Sequence, residues 1–106
     1  MPTYIELDNT HSFDPNEVIE SCANAEAQAV LADDQALPSE FFDLSSGFAG
    51  ELVNKLSMYR IRLAGVVPDV SIHSEHFQAF AREANRRGDI RFFLTREEAI
   101  NWLEAK

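Results

Sequence analysis

The segment of this sequence with the densest chemistry is Asp43-Leu44-Ser45-Ser46-Gly47-Phe48, which sets two hydroxyls just before an apolar-periodic run. If that run is a helix, its free N–H groups and dipole favour negative charge, so a phosphoryl group on Ser45 or Ser46, or a bound anion, would be stabilised there. A serine in this place also serves as a plain helix cap. Asp33, Asp34 and Asp43 would repel a phosphate, and that repulsion would make phosphorylation an effective switch.

Other constellations are weaker. His73 and His76 stand three residues apart with Asp69 nearby, but a structural zinc needs four ligands and Cys22 is the only thiol, so no metal is expected. Neither Gly-x-Ser-x-Gly nor a recognisable Cys-His pairing is present, and the pairs Asp33-Asp34 and Glu97-Glu98 read as solvated or capping acids. The glycines form no phosphate-cradling loop, so no cofactor is expected. Gly50, inside a helical pattern, reads as a site of close helix packing. His11 has no identifiable partner.

The elements that must position these residues follow from periodicity and caps. Thr3 to Leu7 reads as a short edge strand ending in Asp8-Asn9. Asp14-Pro15-Asn16-Glu17 opens a helix carrying Val18, Ile19, Cys22, Ala23 and Ala27, and Ala29-Val30-Leu31-Ala32 is apolar on both faces, as in a central strand. After a short turn with Phe41 and Phe42 inward, a longer helix has the stripe Phe48, Leu52, Val53, Leu56 and Tyr59, with Glu51 placed to pair with Lys55. Arg60 to Val67 reads as a second central strand. Ser74 caps a helix closed by Gly88, Ile90 to Leu94 is the last strand, and Thr95-Arg96-Glu97-Glu98 opens a final helix with Trp102 on its buried side. The order β-α-β-α-β-α-β-α predicts an α/β class fold: one mostly parallel four-stranded sheet flanked by helices, a single domain over residues 1–106. All βα connections would then gather at the carboxyl end of the sheet, bringing together Asp33, Asp34, Asp43, Ser45, Ser46, Asp69 and Thr95.

Nine Lys and Arg against eighteen Asp and Glu give a net charge of −9, which opposes direct binding to nucleic acid or an anionic membrane. Residues 1–54 hold eleven acids and no Lys or Arg, whereas residues 55–106 hold seven acids and nine bases. The lone Cys22 reads as a small buried hydrophobe in a reducing compartment. No stretch is apolar enough to span a membrane, and the N-terminus lacks a signal-peptide pattern, so a cytoplasmic location is expected. Arg82, Arg86, Arg87, Arg91 and Arg96 cluster around the last strand, where they complement a helix C-terminus or meet the acidic half of a second copy to give a dimer.

From Phe41-Phe42-Asp43-Leu44 to Gly50-Glu51, and on through Lys55, Tyr59-Arg60, Ala64, Phe80, Glu83, Asn85, Phe92 and Glu97-Glu98-Ala99 to Leu103, the chain resembles a family of small bacterial proteins catalogued as domain of unknown function 4180. The likeness covers about residues 16 to 104. That family resembles the STAS, or anti-sigma-factor-antagonist, fold, in which an Asp-Ser-Ser-Gly-like turn opening a helix carries a phosphorylatable serine. The resemblance implies a STAS-like domain with Ser46, directly before Gly47, as the matching serine and Leu44 as an insertion. It implies a fold and a surface, not a reaction.

The functional expectation is a non-enzymatic domain that binds a protein partner through Asp43 to Gly47 and the acidic loops at Asp33, Asp34 and Asp69. One alternative is an acidic inhibitor that imitates nucleic acid. Another is a small-molecule site or enzyme at the carboxyl end of the sheet, lined by Asp43, Lys55, Tyr59 or Asn85.

Overall fold

The computed structural model describes residues 4–7 and 14–105; His11 and the Asp8-Asn9 turn lie outside them. Strand β1 (Ile5–Leu7) is followed by helix α1 (Pro15–Ala25), β2 (Ala29–Asp33), the one-turn α2 (Ser39–Phe42), α3 (Phe48–Met58), β3 (Arg62–Val66), α4 (Glu75–Arg87), β4 (Ile90–Phe93) and α5 (Arg96–Glu104). The caps read from sequence are in place. Asp14 accepts from Asn16 N–H at 2.8 Å, Ser74 from Phe77 N–H at 3.1 Å and Thr95 from Glu98 N–H at 3.2 Å. Gly88 closes α4 in the left-handed region at φ 100°.

The sheet is four-stranded and wholly parallel, with spatial order β1-β2-β3-β4. Each crossover steps to the adjacent strand in the same direction, and right-handed connections then put their helices on one face. Accordingly Val18 and Cys22 of α1, Leu52 and Leu56 of α3, and Phe77 and Ala81 of α4 share a core with Val30, Leu63 and Phe92. Helix α5 closes no crossover, and its Ala99 and Leu103 cover Ala29, Leu31, Ala64 and Val66 on the opposite face. Arg62 donates to the Leu103 carbonyl at 3.2 Å, complementing the C-terminal end of α5 from the neighbouring strand. The guanidinium groups of Arg62 and Arg91 lie 5.0 and 5.6 Å from the centre of the Trp102 ring.

Three local expectations are corrected. Tyr59 is not on the buried stripe: α3 ends at Met58, the chain turns through Arg60 at φ 57°, and Tyr59 is left 59% exposed. Lys55 does not turn to Glu51 but donates to Asn16 Oδ1 at 2.9 Å, tying α3 to α1. Gly50 permits no close approach, because an added Cβ there would meet nothing within 4 Å. Gly50→Ala is therefore expected to stabilise the protein by about 0.5–1 kcal/mol through helix propensity, seen as a raised midpoint in thermal melting. A lowered midpoint would contradict the open environment of this site.

Cys22 is buried on α1, and burial pushes its thiol up, away from the reactive thiolate. It is expected to resist a thiol-specific disulfide reagent in the native state and to react once urea unfolds the chain. Fast native labelling would contradict that burial.

Candidate functional site

In a parallel α/β sheet every helix after a strand starts at the carboxyl end, where its free N–H groups need acceptors. The turns that lead into those helices have the same need, and here aspartates meet it. Asp33 Oδ1 accepts from Gln35 and Ala36 N–H at 3.0 and 2.9 Å, Asp43 Oδ1 from Ser45 N–H at 3.1 Å, and Asp69 Oδ1 from Ser71 N–H at 3.0 Å. Much of the acidity gathered at this end is therefore turn and capping chemistry.

Two of these turns are copies of one design. Asp43 opens a 3₁₀ turn over Leu44–Ser46, and Asp69 opens one over Val70–Ile72. In each, an aliphatic residue follows the aspartate and packs half-buried against the main core, as Leu44 and Val70. In each, the next residue is a serine that donates its hydroxyl back to the aspartate: Ser45 to Asp43 at 2.6 Å, and Ser71 to Asp69. Leu44 is thus the anchoring residue of the first turn. The recurrence of Asp-aliphatic-Ser at Asp43-Leu44-Ser45 and Asp69-Val70-Ser71 was visible in the sequence and is the signal that reading for single motifs missed.

Aromatic stacking holds the two turns side by side. Phe42, directly before the first turn, lies parallel to His73, directly after the second, with centroids 4.0 Å apart and planes at 5°. Phe77 meets both rings edge-on, at 4.9 and 5.2 Å. His73 Nε2 is buried without a hydrogen-bond partner among the described residues, and the His73 carbonyl accepts from Gln78 Nε2 at 2.9 Å. Ile72, between Ser71 and His73, is left 69% exposed.

Ser46 differs from Ser45. Its Oγ lies 2.7 Å from the Asp43 carbonyl and 2.8 Å from the Glu40 carbonyl as donor, and accepts from Phe48 N–H at 3.2 Å at the start of α3. Gly47 makes the bend in the left-handed region at φ 79°.

On the other side of the same end, Asp33, Asp34 and Arg96 line a groove of about 220 Å³. Arg96 forms a two-armed ion pair with Glu6 of β1, and that hydrogen bonding pushes its guanidinium further up. The remaining sequence candidates are not brought together: Lys55 reaches α1, Tyr59 stands exposed after α3, and Asn85 Oδ1 accepts from Phe92 N–H on β4 at 2.8 Å. Among the described residues no group of His, Cys, Asp and Glu could hold a metal ion, and no helix is long and apolar enough to cross a membrane.

A family model described as "Domain of unknown function (DUF4180)" matches residues 6–103, from β1 to α5. The chain belongs to this family. No curated protein and no solved structure matches it. Both 3₁₀ turns and the Phe42–His73 stack lie within the DUF4180 span, so the twin-turn surface is part of the domain itself and not an appendage to it.

Proposed function

We propose that this DUF4180 domain is a non-enzymatic, regulatory protein-interaction module whose partner rests on the twin turns at the carboxyl end of the sheet. The observation that carries the reading is Ile72, a large aliphatic side chain 69% exposed on a turn pinned by the Phe42–His73 stack beside Asp43 to Gly47. A preorganised apolar anchor with a polar rim is what binding hot spots require, because little ordering entropy is lost on association. Asp43 and Asp69, which open the two turns, supply the rim. The hydroxyls of Ser45 and Ser71 donate to their own aspartates and not to an imidazole, an arrangement that serves turn rigidity and not nucleophilic attack.

Phosphorylation of Ser46 is the regulatory extension, and the STAS-like resemblance of its turn supports it. A phosphate on Oγ removes the hydroxyl donor to the Asp43 and Glu40 carbonyls and adds negative charge among carboxylates, so it would remodel this surface. Partner binding weakened by Ser46→Asp, with a phosphate mapped to Ser46 in cells, is the expected result. An unmodified Ser46 together with unchanged binding by Ser46→Asp removes the extension and leaves the interaction reading standing.

A further inference from the structure

The connection after β3 runs to α4 on one face of the sheet, and the connection after β4 runs to α5 on the other. Strand connections that part in this way open a crevice at the carboxyl ends, where open α/β sheets take their ligands. A groove of about 360 Å³ lies there, between α4 and the outer edge of β4. Val67, Phe92 and Leu94 form apolar wall, and Gln78, Arg82 and Asn85 supply the polar groups.

Three observations narrow the occupant. No acidic residue lines this groove, although the chain carries −9, whereas the other two described grooves hold Glu83 and Asp89 or Asp33 and Asp34. Arg82 has no ion pair or hydrogen bond among the described residues, so its guanidinium is available to a carboxylate. The backbone of β4 is also open on this side. Leu63 and Val67 N–H donate to the Asp89 and Phe93 carbonyls at 3.0 and 2.9 Å, which turns residues 89 and 93 toward β3 and Phe92 outward. Asn85 takes the Phe92 N–H, fixing the edge at that point, while the Phe92 carbonyl faces out and the Leu94 N–H has no partner among the described residues. Leu94 itself is 58% exposed.

We infer that the α4–β4 groove binds an extended peptide segment carrying a carboxylate. The segment adds to the outer edge of β4 through the Phe92 carbonyl and Leu94 N–H, sets an apolar side chain against Val67 and Phe92, and pairs its carboxylate with Arg82. This groove adjoins the second turn through Val70 and Gln78, but the contacts proposed here, Arg82 and the outer edge of β4, are distinct from the Ile72 anchor of the twin turns.

The test is selection of a phage-displayed random peptide library on the full chain, followed by titration of the synthesised winners by fluorescence polarisation and amide NMR. Enriched peptides should pair an apolar residue with Asp, Glu or a free C-terminus, and should shift the Leu94 amide. Arg82→Glu should weaken them at least about tenfold, while the exposed-site control Arg60→Glu leaves them unchanged. Absence of enrichment, equal binding by Arg82→Glu, or shifts centred elsewhere would overturn the proposal. Acetate or succinate alone reproducing the Leu94 shift would make this a small-acid site and equally overturn the peptide assignment.

Discussion

Phe41→Ala is expected to destabilise the protein by about 3–5 kcal/mol, a large share of the roughly 5–15 kcal/mol that holds a domain folded. Phe41 is fully buried, and its ring meets those of Phe42, Phe77, Phe80 and Phe92 at centroid distances of 5.6, 6.0, 6.2 and 6.0 Å. It sits on α2, a four-residue helix with no side-chain cap, so packing and not propensity holds that turn. The cavity left by alanine would also loosen Phe42 and with it the stack on His73 that places the two 3₁₀ turns. Urea denaturation should show the loss directly. A change under about 1 kcal/mol would mean that the aromatic cluster is not the clamp described here.

Gly65→Ala is expected to cost about 1–3 kcal/mol by overpacking, the opposite sign to Gly50→Ala. A Cβ on Gly65 would stand 2.7 Å from Phe92 Cδ1. Phe92 cannot retreat cheaply, because Phe41, Phe77 and Phe80 surround it at 6.0, 5.5 and 6.0 Å. Combining Gly65→Ala with Phe92→Leu, which removes the clashing ring atoms, should cost less than the sum of the two single changes, and that coupling identifies the contact. Additive losses would contradict it.

The two glycines illustrate what the sequence carries and what it withholds. Caps and breaks are local, so Asp14, Ser74, Gly88 and Thr95 placed the helix ends correctly, and the alternation of Ile61, Leu63 and Val67 against Ala64 and Val66 identified both faces of β3. Whether a glycine meets a ring across a sheet is not local. Gly65 and Phe92 are partners only because β3 and β4 pair in a register that sets them side by side. The same holds for the candidate site. The hydroxyls before α3 were legible, but the stack of Phe42 on His73, 31 residues apart, exists only once β2 and β3 are neighbours and their connections turn to the same face. Tyr59 was misplaced because helical periodicity continues past the point where Arg60 takes the chain out of the helix.

The acidity of the first half also changes its meaning at this level. Asp14, Asp33 and Asp43 each accept backbone N–H groups at the carboxyl end, and Asp69 from the second half does the same. An end of the sheet that collects turns and helix starts collects aspartates for structural reasons. What capping does not account for is an exposed isoleucine on a rigid turn among them.

That residue gives the most direct test of the twin-turn surface. Affinity capture from native cells with the full chain, wild type beside Ile72→Lys, compares two proteins of equal fold, since the side chain is 69% exposed. The expected result is a protein partner retained by the wild type and reduced at least about tenfold by the variant, as for an interface anchor. A partner held equally by both, or none held by either, would contradict a binding role for this surface.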